Sequence, residues 1–550
     1  MSADNDRWRI ALDPEPIGVR RRPNSRSGQQ GSPARSLRLE DQARDGSQVT
    51  TEREAKLTAS VKVHLPDLDG LVGGVSVAAS AERHLKAVYY DTAQLDLARW
   101  GITLRHRSGE EGPPWTLKLP EGKAGQALIR RELTFEGSPG TVPAAARDLV
   151  CCYVRSRPLT RVARLDTDRC PLELRDAAGQ RLAEVVDDRV TAYRGARQAS
   201  EFREIEVEIF AQGRVGDRLL DAAVDRLVAA GCRADPPVPK LVRALGSQAL
   251  EPPELVVPPV GRKASLGQLV RHALAQSVAQ ILSHDPGVRL GEDPEDVHQL
   301  RVAVRQLRSE LRTFMPLLEP VPPGELRDDL RWLGTAVGTM RDNDVLAERL
   351  RTQAQTLPEA DAAGVQLLVS LLASQVASAR SAMLTVLRSP RYLSLLDALI
   401  KAANEPPIRA KLPEQAKLPA SRVAAELVHR PWRRLSEAVA NLGDDPSDSA
   451  LHNVRILAKR CRYSAEAVAP AVPRAARFAI ALADLQTVLG EHQDAVVAEA
   501  WLRKSALAAP EGALAAGELV LLQRCQRATA RAEWPETWKT VSAKKLSSWI

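Results

Sequence analysis

The sequence predicts an α+β protein of two domains, with a β-rich N-terminal half and an all-helical C-terminal half. Three observations support this fold class. Between residue 51 and about residue 215, apolar and charged residues alternate every second position, which is the period of β-strands. Residues 251–262 then contain four prolines and can continue neither a helix nor a central strand. Beyond them, Ala, Leu, Arg and Glu dominate and the apolar residues follow the helical period.

Length and composition limit the class of protein. The chain has 550 residues, which is too long for one core, so two or three domains are expected. Its hydrophobic content of 44% and charged content of 27% are typical of soluble globular proteins. The sequence contains no run of about 18 apolar residues, which predicts no membrane span, and its N-terminus lacks the apolar core of a secretory signal. We therefore expect a cytoplasmic protein.

Cysteine usage and net charge narrow the possible partners. The six cysteines form no CxxC pair, which favours reduced thiols over disulfides or a zinc site. The net charge of +8 suggests an anionic partner without choosing among nucleic acid, a membrane surface and phosphate compounds. Because this excess is small for the length, the placement of the basic residues matters more than their number.

The N-terminal half is interpreted as a tail followed by strands. Residues 1–48 are rich in Arg, Ser, Gly, Pro and Gln without apolar periodicity, which predicts a disordered basic tail. Eight later segments show strand-type alternation: EREAK, KAVYYDT, ITLRHR, WTLKLP, LIRRELTFEG, LELRD, RLAEVVDDRV and FREIEVEIF. So many strands with few helices between them predict a mostly antiparallel sheet or barrel. Helical stretches follow at DRLLDAAVDRLVAAG and PKLVRAL.

The same patterns predict the domain boundaries. The β-rich domain spans residues 50–247, and a proline-rich linker follows at residues 248–262. The helical domain spans residues 263–545. Within it, NEPPIRAKLPEQAKLP interrupts the helices around residues 404–419, which predicts two lobes.

Charged residues occupy one face of several predicted strands. Because side chains alternate with period two, Glu52, Glu54 and Lys56 share one face of the first strand, and EIEVEI repeats the pattern with three glutamates. Taken singly, each row is most simply a solvated outer face. If helices cover the outside of a barrel, however, these rows face its lumen. Carboxylates there suit Mg²⁺ or Mn²⁺ while basic groups neutralise phosphates, so rows of both signs favour a metal-bound polyphosphate ligand.

The spacing of Glu52, Glu54 and Lys56 resembles the ExExK signature of the CYTH family, the triphosphate tunnel enzymes. The likeness continues in order over residues 50–247, through YYDT, Arg105 and Arg107, Lys118, Arg130 and Glu132, Arg161 and Arg164, Asp187 and Asp188, Glu206 and Glu208, and Lys240 and Arg243. This resemblance implies an eight-stranded antiparallel tunnel. It also implies divalent-metal-dependent hydrolysis or rearrangement of nucleotide or inorganic triphosphates.

The resemblance assigns a role to each matching residue. The implied ligands of the cofactor, Mg²⁺ or Mn²⁺, are Glu52, Glu54, Glu206 and Glu208. The implied phosphate-binding residues are Arg105, Arg107, Lys118, Arg130, Arg164 and Lys240. Lys56 and Glu54 are the implied catalytic residues, with Lys56 beside the terminal phosphate or beside a carboxylate that orients water. The reaction would be an in-line phosphoryl transfer, in which positioning and charge neutralisation do most of the catalysis.

Two departures from the family pattern bear on the metal and the substrate. Thr134 stands where an RxExE pattern would place a second glutamate, which leaves the number and identity of the metal ions open. The HF dipeptide of bacterial adenylyl cyclases and thiamine triphosphatases of this family is absent before Glu52. Inorganic triphosphate or a nucleoside triphosphate is therefore the favoured substrate.

The helical half contains a basic pattern twice. His298, Arg301, Arg305 and Arg308 lie at offsets 0, +3, +7 and +10, which places them on one stripe of a helix. The same offsets recur 154 positions later with His452, Arg455, Lys459 and Arg462. Like charges three or four residues apart destabilise a helix by roughly 0.2–0.5 kcal/mol per pair. For one helix, an exposed basic face and an anion site are equally good explanations.

A second repeated segment favours the anion site. VGTMRDNDV follows the first basic stripe and LGEHQDAVV follows the second, which aligns Asp342 with Asp494 and indicates an internal duplication. Two such lobes, packed pseudo-symmetrically, would join their basic stripes into one channel. The two aspartates are expected to be structural, pairing with arginines of the stripes or capping helices.

These repeats resemble the CHAD family, the conserved-histidine α-helical domains, over about residues 262–545. The resemblance rests on HxxRxxxKRxR-type helices and LGxxRDxD-type segments. It implies a helical bundle that binds inorganic polyphosphate along a basic groove. The implied contacts are His298, Arg301, Arg305, Arg308, His452, Arg455, Lys459, Arg460 and Arg462.

Together, the two resemblances predict a metal-dependent triphosphatase that carries a polyphosphate-binding domain. The alternative is a non-catalytic polyphosphate-binding protein whose tunnel only binds a triphosphate ligand. Nucleic acid is expected to bind only non-specifically, because an aromatic content of 4% offers few stacking platforms. We expect no membrane partner, and we expect a cytoplasmic location with association to polyphosphate granules.

Overall fold

The computed structural model describes residues 49–124, 127–234, 239–321, 323–410 and 413–550, and the predicted basic tail lies outside them. The chain forms two compact units. The β unit comprises the described residues up to Ala146 together with Pro158–Glu251, and the helical unit comprises Arg147–Arg157 together with Pro252–Ile550. The predicted fold class, an antiparallel β domain with helices followed by an all-helical domain, is confirmed.

Eight strands of the β unit form a closed antiparallel ring. Within the described residues, the strands are β1 (Val49–Ala59), β2 (Ser76–Ala79), β3 (Arg83–Asp91), β4 (Thr103–Ser108), β5 (Trp115–Ala124), β6 (Ala127–Phe135), β7 (Thr160–Arg175), β8 (Arg181–Arg194) and β9 (Arg197–Ile209). Their order around the ring is β7, β3, β4, β5, β6, β1, β9 and β8, and pairing of β8 with β7 closes it. The short β2 lies beside β7 next to the end of β3.

Packing of one helix on the outside of the ring directs the charged rows inward. The helices of this unit are α1 (Asp96–Arg99), α3 (Gly213–Ala229) and α4 (Lys240–Leu245). Leu57 of β1 and Val207 of β9 share a buried apolar cluster with Leu220 of α3. Because neighbouring side chains on a strand point to opposite faces, Lys56 and Glu206 face the lumen.

Helix α4 fills one end of the lumen. Its Leu241 and Leu245 belong to a buried cluster with Leu165 of β7 and Val190 of β8. Val190 has the same strand parity as Asp188, so this cluster lies on the inner face of the ring. The first residue of α4, Lys240, therefore points from this apolar end toward the charged part of the lumen.

The helical unit contains the predicted duplicated bundle. Its described helices are α2 (Ala144–Val154, in this unit from Arg147), α5 (Leu266–Leu290), α6 (Pro294–Thr313), α7 (Pro323–Ala354), α8 (Ala362–Leu387), α9 (Pro390–Asn404), α10 (Pro413–Lys417), α11 (Ala420–Ala440), α12 (Asp448–Val468), α13 (Pro473–Ala508), α14 (Ala513–Ser542) and α15 (Lys544–Ser547). The two basic stripes lie on α6 and α12. Each of these helices begins at a side-chain cap, Asp293 and Ser447 respectively.

Helix α2, which lies between two strands in the chain, packs in the helical unit. Asp148 of α2 accepts hydrogen bonds from Arg289 of α5 and from Arg388, both at 2.8 Å. Arg289 is only 1% exposed and also pairs with the buried Asp285 at 2.6 Å. Tyr153 donates a hydrogen bond to the backbone carbonyl of Leu282 at 3.1 Å. Buried ion pairs thus hold α2, and the local sequence pattern does not predict this placement.

One helical segment passes a length and composition test for a membrane span. Glu359–Leu387, which contains α8, has a window with mean hydropathy 1.5 and is the one such segment among the residues described. Leu368 and Leu372 of this segment pack in a buried cluster of the helical unit, whereas Gln366, Ser370 and Ser374 are exposed.

The ion pairs of α2 yield a stability prediction. Asp148→Ala should lower the free energy of unfolding of the helical unit by about 1–3 kcal/mol, because a buried guanidinium loses one of its acceptors. The measurement is urea unfolding of the full chain, followed by circular dichroism at 222 nm. Asp329→Ala is the matched control. It removes the partner of the half-exposed Arg391 and should cost less than about 1 kcal/mol. Equal losses in the two variants would contradict the structural role of Asp148.

Candidate functional sites

Glu206 is at the centre of a buried charge cluster in the lumen. Its carboxylate contacts Lys56 of β1 and lies 3.3 Å from both Lys240 of α4 and Arg169 of β7. Burial by itself would raise the pKa of Glu206, but the three cations outweigh it and hold the pKa well below its usual range. Glu206 therefore stays ionised and holds three cations close together. These cations are suited to bind an anion such as a phosphate chain in place of the Glu206 carboxylate.

Asp188 orients two of these cations. It accepts two hydrogen bonds from Arg169, at 2.8 and 2.7 Å, and also contacts Lys240. Its side chain is fully buried, which would raise its pKa, but Lys240 and Arg169 lower it below the usual value. The bidentate pair fixes the guanidinium plane of Arg169 before any ligand arrives.

The structure brings Arg169 into the lumen and leaves Arg164 outside it. Arg164 has the opposite strand parity, lies 4.0 Å over the ring of Tyr193 and pairs with Asp166 at 3.2 Å. Sequence reasoning selected Arg164 and missed Arg169. The usable signal was the period-two alternation of β7, which puts Arg169 and Thr167 on one face and Arg164 on the other.

The remaining predicted phosphate-binding residues share the inner face of β4, β5 and β6. The strand register aligns Arg105, Arg107, Lys118 and Arg130 on this face. Lys118 pairs with Glu132 at 2.7 Å. Burial and the neighbouring Arg105 lower the pKa of Arg107 to about 10. Such crowding of buried cations is costly without an anion, which makes this wall suited to one.

A cavity opens beside this wall. It has a volume of about 640 Å³, and Arg107, Thr116, Glu132 and Thr134 contribute to its lining together with the loop of residues 109–114. Thr134, at the position where the family pattern has a second glutamate, thus lines this cavity. Its hydroxyl is buried and has no hydrogen-bond partner among the described residues.

Three glutamates form a row across neighbouring strands at another part of the lumen. Glu54 of β1 is paired in register with Glu208 of β9, which is paired with Glu184 of β8. Burial raises the pKa of Glu208, and Glu54 and Glu184 raise it further against the opposing effect of Lys118. One oxygen of Glu54, Oε1, is buried without a hydrogen-bond partner in the described part of the chain. We call these three residues the acidic row.

Two other lumen glutamates differ from the acidic row. Glu204 lies 4.0 Å from Lys56 and 3.8 Å from Lys240, and its pKa is raised to about 7 because burial outweighs these cations. Glu52 is paired in backbone register with Arg130 of β6, and its side chain lies outside the described residues.

In the helical unit, the two basic stripes face each other. The hydroxyls of Thr313 on α6 and Ser464 on α12 are 2.9 Å apart, which joins the helices at one end. Arg305 of α6 interacts electrostatically with Arg455 of α12. Burial, followed by repulsion from Arg455 and Arg305, lowers the pKa of Lys459 to about 7. The helices therefore form two walls of one feature, which we call the basic groove.

Helix α7 extends the basic groove. Arg308 and Arg312 of α6 lie within electrostatic range of Arg327 and Arg331 of α7 and of Arg460. Burial, then repulsion from Arg460 and Arg327, lowers the pKa of Arg312 to about 10. Sequence reasoning missed Arg327 and Arg331. Their spacing of four residues on one helix was the available signal.

Many guanidinium groups of this feature offer unused donors. The Nε atom is buried without a hydrogen-bond partner, within the described residues, in Arg301, Arg327, Arg341 and Arg455. A buried donor without an acceptor costs about 1–3 kcal/mol, so an anion that supplies acceptors is favoured. Phosphate oxygens match these donors in charge and geometry.

The duplication is visible in matching contacts. Arg301 pairs with Asp342 at 2.7 Å, and at the equivalent place Asp494 acts electrostatically on Arg455. A Cβ atom built on Gly490 would lie 3.7 Å from Nη2 of Arg455, so this guanidinium packs directly on the backbone of α13. The aspartates thus neutralise part of each stripe, as expected for a structural role.

The remaining predicted groove residues are the histidines and Arg462. Burial, together with Arg341 and other nearby arginines, lowers the pKa of His298 despite the opposing effect of Glu295. Nδ1 of His452 is buried without a hydrogen-bond partner among the described residues. Arg462 pairs with Glu466 on its own helix at 3.3 Å, so part of its charge is already neutralised.

Comparison with known proteins assigns both units. A model of the CYTH domain matches residues 50–211, and a model of the CHAD domain matches residues 272–503. The chain belongs to the CYTH and CHAD families. Both resemblances predicted from the motifs are confirmed. Members of the CYTH family are often triphosphate tunnel enzymes with cyclase or triphosphatase activity, and CYTH domains generally bind divalent metals.

Similar proteins include two from Mycobacterium tuberculosis, the uncharacterized proteins Rv2226 of strain H37Rv and MT2285 of strain CDC 1551. Each is 34% identical over 477 residues, which is 83% of this chain and 89% of the relative. A crystal structure of the CHAD domain from the plant Ricinus communis is 29% identical, with a TM-score of 0.43, and the match covers 52% of this chain and 96% of that domain.

The acidic row of the CYTH domain fits a divalent cation in charge and donor type. Mg²⁺ and Mn²⁺ prefer carboxylate oxygens, and an ion there would relieve the repulsion between Glu54, Glu208 and Glu184 and supply the missing partner of Glu54. The described side chains hold no ready-made group of three His, Cys, Asp or Glu ligands, so these carboxylates would have to rotate toward an ion. Glu206, a predicted ligand, is instead occupied by three cations.

The acidic row yields a metal-binding prediction. Glu208→Gln should weaken binding of Mn²⁺ by at least roughly tenfold, because the row loses one charged ligand. The measurement is the electron paramagnetic resonance signal of free Mn²⁺ during titration into the full chain. Glu136→Gln, at an exposed position, is the control and should bind Mn²⁺ as the unmodified protein does. Unchanged affinity in Glu208→Gln would exclude the row as the site.

Proposed function

We propose that the CYTH domain hydrolyses a linear triphosphate, inorganic or nucleoside, with a divalent metal ion. The observation that carries this proposal is the opposition of charges inside a closed ring. An acidic row lies on β1, β9 and β8, while buried arginines and lysines line the rest of the lumen. A lumen lined only by carboxylates would suit a metal ion, and one lined only by basic groups would suit an anion. A lumen with both kinds of charge suits a metal-bound triphosphate.

The cations that carboxylates already orient in the lumen would bind the phosphates. Arg169 and Lys240 would exchange part of their contact with Glu206 for phosphate oxygens, while Asp188 continues to hold them in place. Arg105, Arg107, Lys118 and Arg130 would neutralise the rest of the chain of phosphates from the opposite wall. Fixed cations around a phosphoryl group stabilise the charge that spreads over its oxygens in the transition state.

Lys56 and the glutamates around it would carry the positive charge and the proton transfer that the reaction needs. Burial alone would lower the pKa of Lys56, but Glu206, Glu54 and Glu204 outweigh it and raise the pKa, so Lys56 stays charged beside the terminal phosphate. Glu204, with its pKa near 7, is suited to accept a proton from the attacking water. A divalent ion held by Glu54, Glu208 and Glu184, with Glu52, would neutralise phosphate charge.

We predict that the full chain releases phosphate from tripolyphosphate or ATP in the presence of Mg²⁺ or Mn²⁺. Lys56→Ala and Arg169→Ala should each reduce kcat/KM by at least roughly 100-fold, because each removes a buried cation from the transition state. Arg189→Ala, which removes an exposed guanidinium from the outer face of β8, is the control.

Two outcomes of this assay would change the assignment. A loss in Arg164→Ala with normal rates in Arg169→Ala would favour the residue that the motif selected over the one in the lumen. Binding of tripolyphosphate without turnover, in all metal conditions, would favour the alternative function, a protein whose tunnel only binds its ligand.

We further propose that the CHAD domain binds inorganic polyphosphate in the basic groove. This is supported by two facing helices whose basic side chains are partly buried and whose Nε donors lack acceptors. A flexible linear polyanion can follow such a groove and satisfy several donors in turn. Association with polyphosphate granules in the cytoplasm would follow from this binding.

The groove yields a binding prediction. Arg305→Ala should weaken binding of long-chain polyphosphate by roughly tenfold and reduce the slope of log Kd against log salt concentration by about one, because one phosphate contact is lost. Fluorescence anisotropy of end-labelled polyphosphate measures both quantities. Arg434→Ala on α11 removes an exposed arginine and should change neither. Equal affinity for DNA at the same salt concentration would argue against a groove specific for polyphosphate.

A further inference from the structure

The two halves of the basic groove differ at one equivalent position. In the first repeat this position is Arg305, and in the second it is Lys459. A guanidinium stays protonated in proteins even when it is buried, whereas a buried ammonium can lose its proton. The difference therefore changes the chemistry of the groove even though both side chains are basic.

Lys459 lies where an ammonium is hardest to keep charged. It is partly buried on α12, about one helical turn from Arg455, and α12 packs against α6 where the hydroxyls of Ser464 and Thr313 are 2.9 Å apart. The charged groups that act on it most strongly are Arg455 on its own helix, Arg305 and Arg301 on α6, and Asp494 on α13. Arg301 is itself paired with Asp342 at 2.7 Å, and Asp494 also acts on Arg455, so neither carboxylate serves Lys459 alone. Burial and these arginines together bring the pKa of Lys459 to about 7.

We propose that Lys459 couples polyphosphate capture to proton uptake, because phosphates laid along the groove favour the protonated form of this partly buried lysine among arginines. This inference rests on the proposed binding of polyphosphate. A phosphate chain brings negative charge next to Lys459 and neutralises the arginines around it, and both changes favour the ammonium form. One proton from solvent enters the groove with the anion, so the affinity rises as the pH falls.

The size of the effect follows from the fraction of neutral Lys459. Each pH unit above the midpoint of the free lysine costs up to about tenfold in affinity, because the lysine must first be protonated. Between pH 6.5 and pH 8.5, binding should therefore weaken by roughly 10–30-fold more in the unmodified protein than in a Lys459→Arg variant. That variant makes the two repeats alike and keeps the positive charge at every pH. All other titratable groups of the groove are the same in the two proteins.

The test is calorimetric titration of the full chain with inorganic polyphosphate of defined length at pH 8.0, in two buffers of different ionisation enthalpy. We expect the unmodified protein to take up nearly one more proton per bound groove than Lys459→Arg. Arg305→Lys, which puts a lysine at the equivalent position of the first repeat, should increase the uptake. Equal proton uptake by the unmodified protein and Lys459→Arg would overturn the inference while leaving polyphosphate binding intact.

A second measurement separates this inference from the proposed function. The lysines of the ligand-free protein are labelled with ¹³C-methyl groups and followed by NMR as the pH is changed. The Lys459 resonance is the one that is missing from the spectrum of the Lys459→Arg variant. A midpoint near 7 supports the inference, and a midpoint near 10 overturns it. If no polyphosphate binds to any variant at pH 6.5, the proposed function of the groove fails, whatever the midpoint of the lysine.

Discussion

The pairing of β7 with β8 closes the strand ring, and the chemistry of the β unit depends on this closure. In an open sheet, the charged rows of β1 and β9 would be a solvated face with little consequence. In a closed ring whose outer face is covered by α3 at β1, β8 and β9, the same residues are forced into a confined space. Charges that lose water must find partners, so Glu206, Asp188 and their cations form an internal network. In the proposed function, a triphosphate would take over part of the carboxylates' contacts with those cations.

The helical unit also confines charged side chains, but there the confined charges are mostly positive. Packing of α6 against α12 brings two basic stripes together, and α7 adds further arginines. Burying like charges is unfavourable, as the lowered pKa values of Lys459 and Arg312 indicate. Asp342 and Asp494 offset part of this repulsion. The remaining repulsion makes the free groove electrostatically unfavourable, which supports the proposed binding of a polyanion.

Prediction from the sequence succeeded for fold class, families and the faces of most strands, because period and motif order are local properties of the chain. The prediction was incomplete where the role of a residue depends on a side chain that another strand or helix brings next to it. Strand parity separates Arg164 from Arg169, but only the ring shows which parity faces inward. Glu206 matches the family motif for a metal ligand, yet Lys240 of α4 reaches it from a distant part of the chain. Helix α2 gives no local sign that it packs with α5.

The sequence by itself determined the periodicities, the duplicated stripes and the order of charged residues, because each is a relation between residues near one another in the chain. Only the tertiary structure decided which charges meet. It made Glu206 a centre for cations, left Glu54, Glu208 and Glu184 as an acidic row, and put Lys459 among three arginines. The physical reason is that the charge state of a buried group depends on its burial and its neighbours in space, and neither quantity is written in the local pattern.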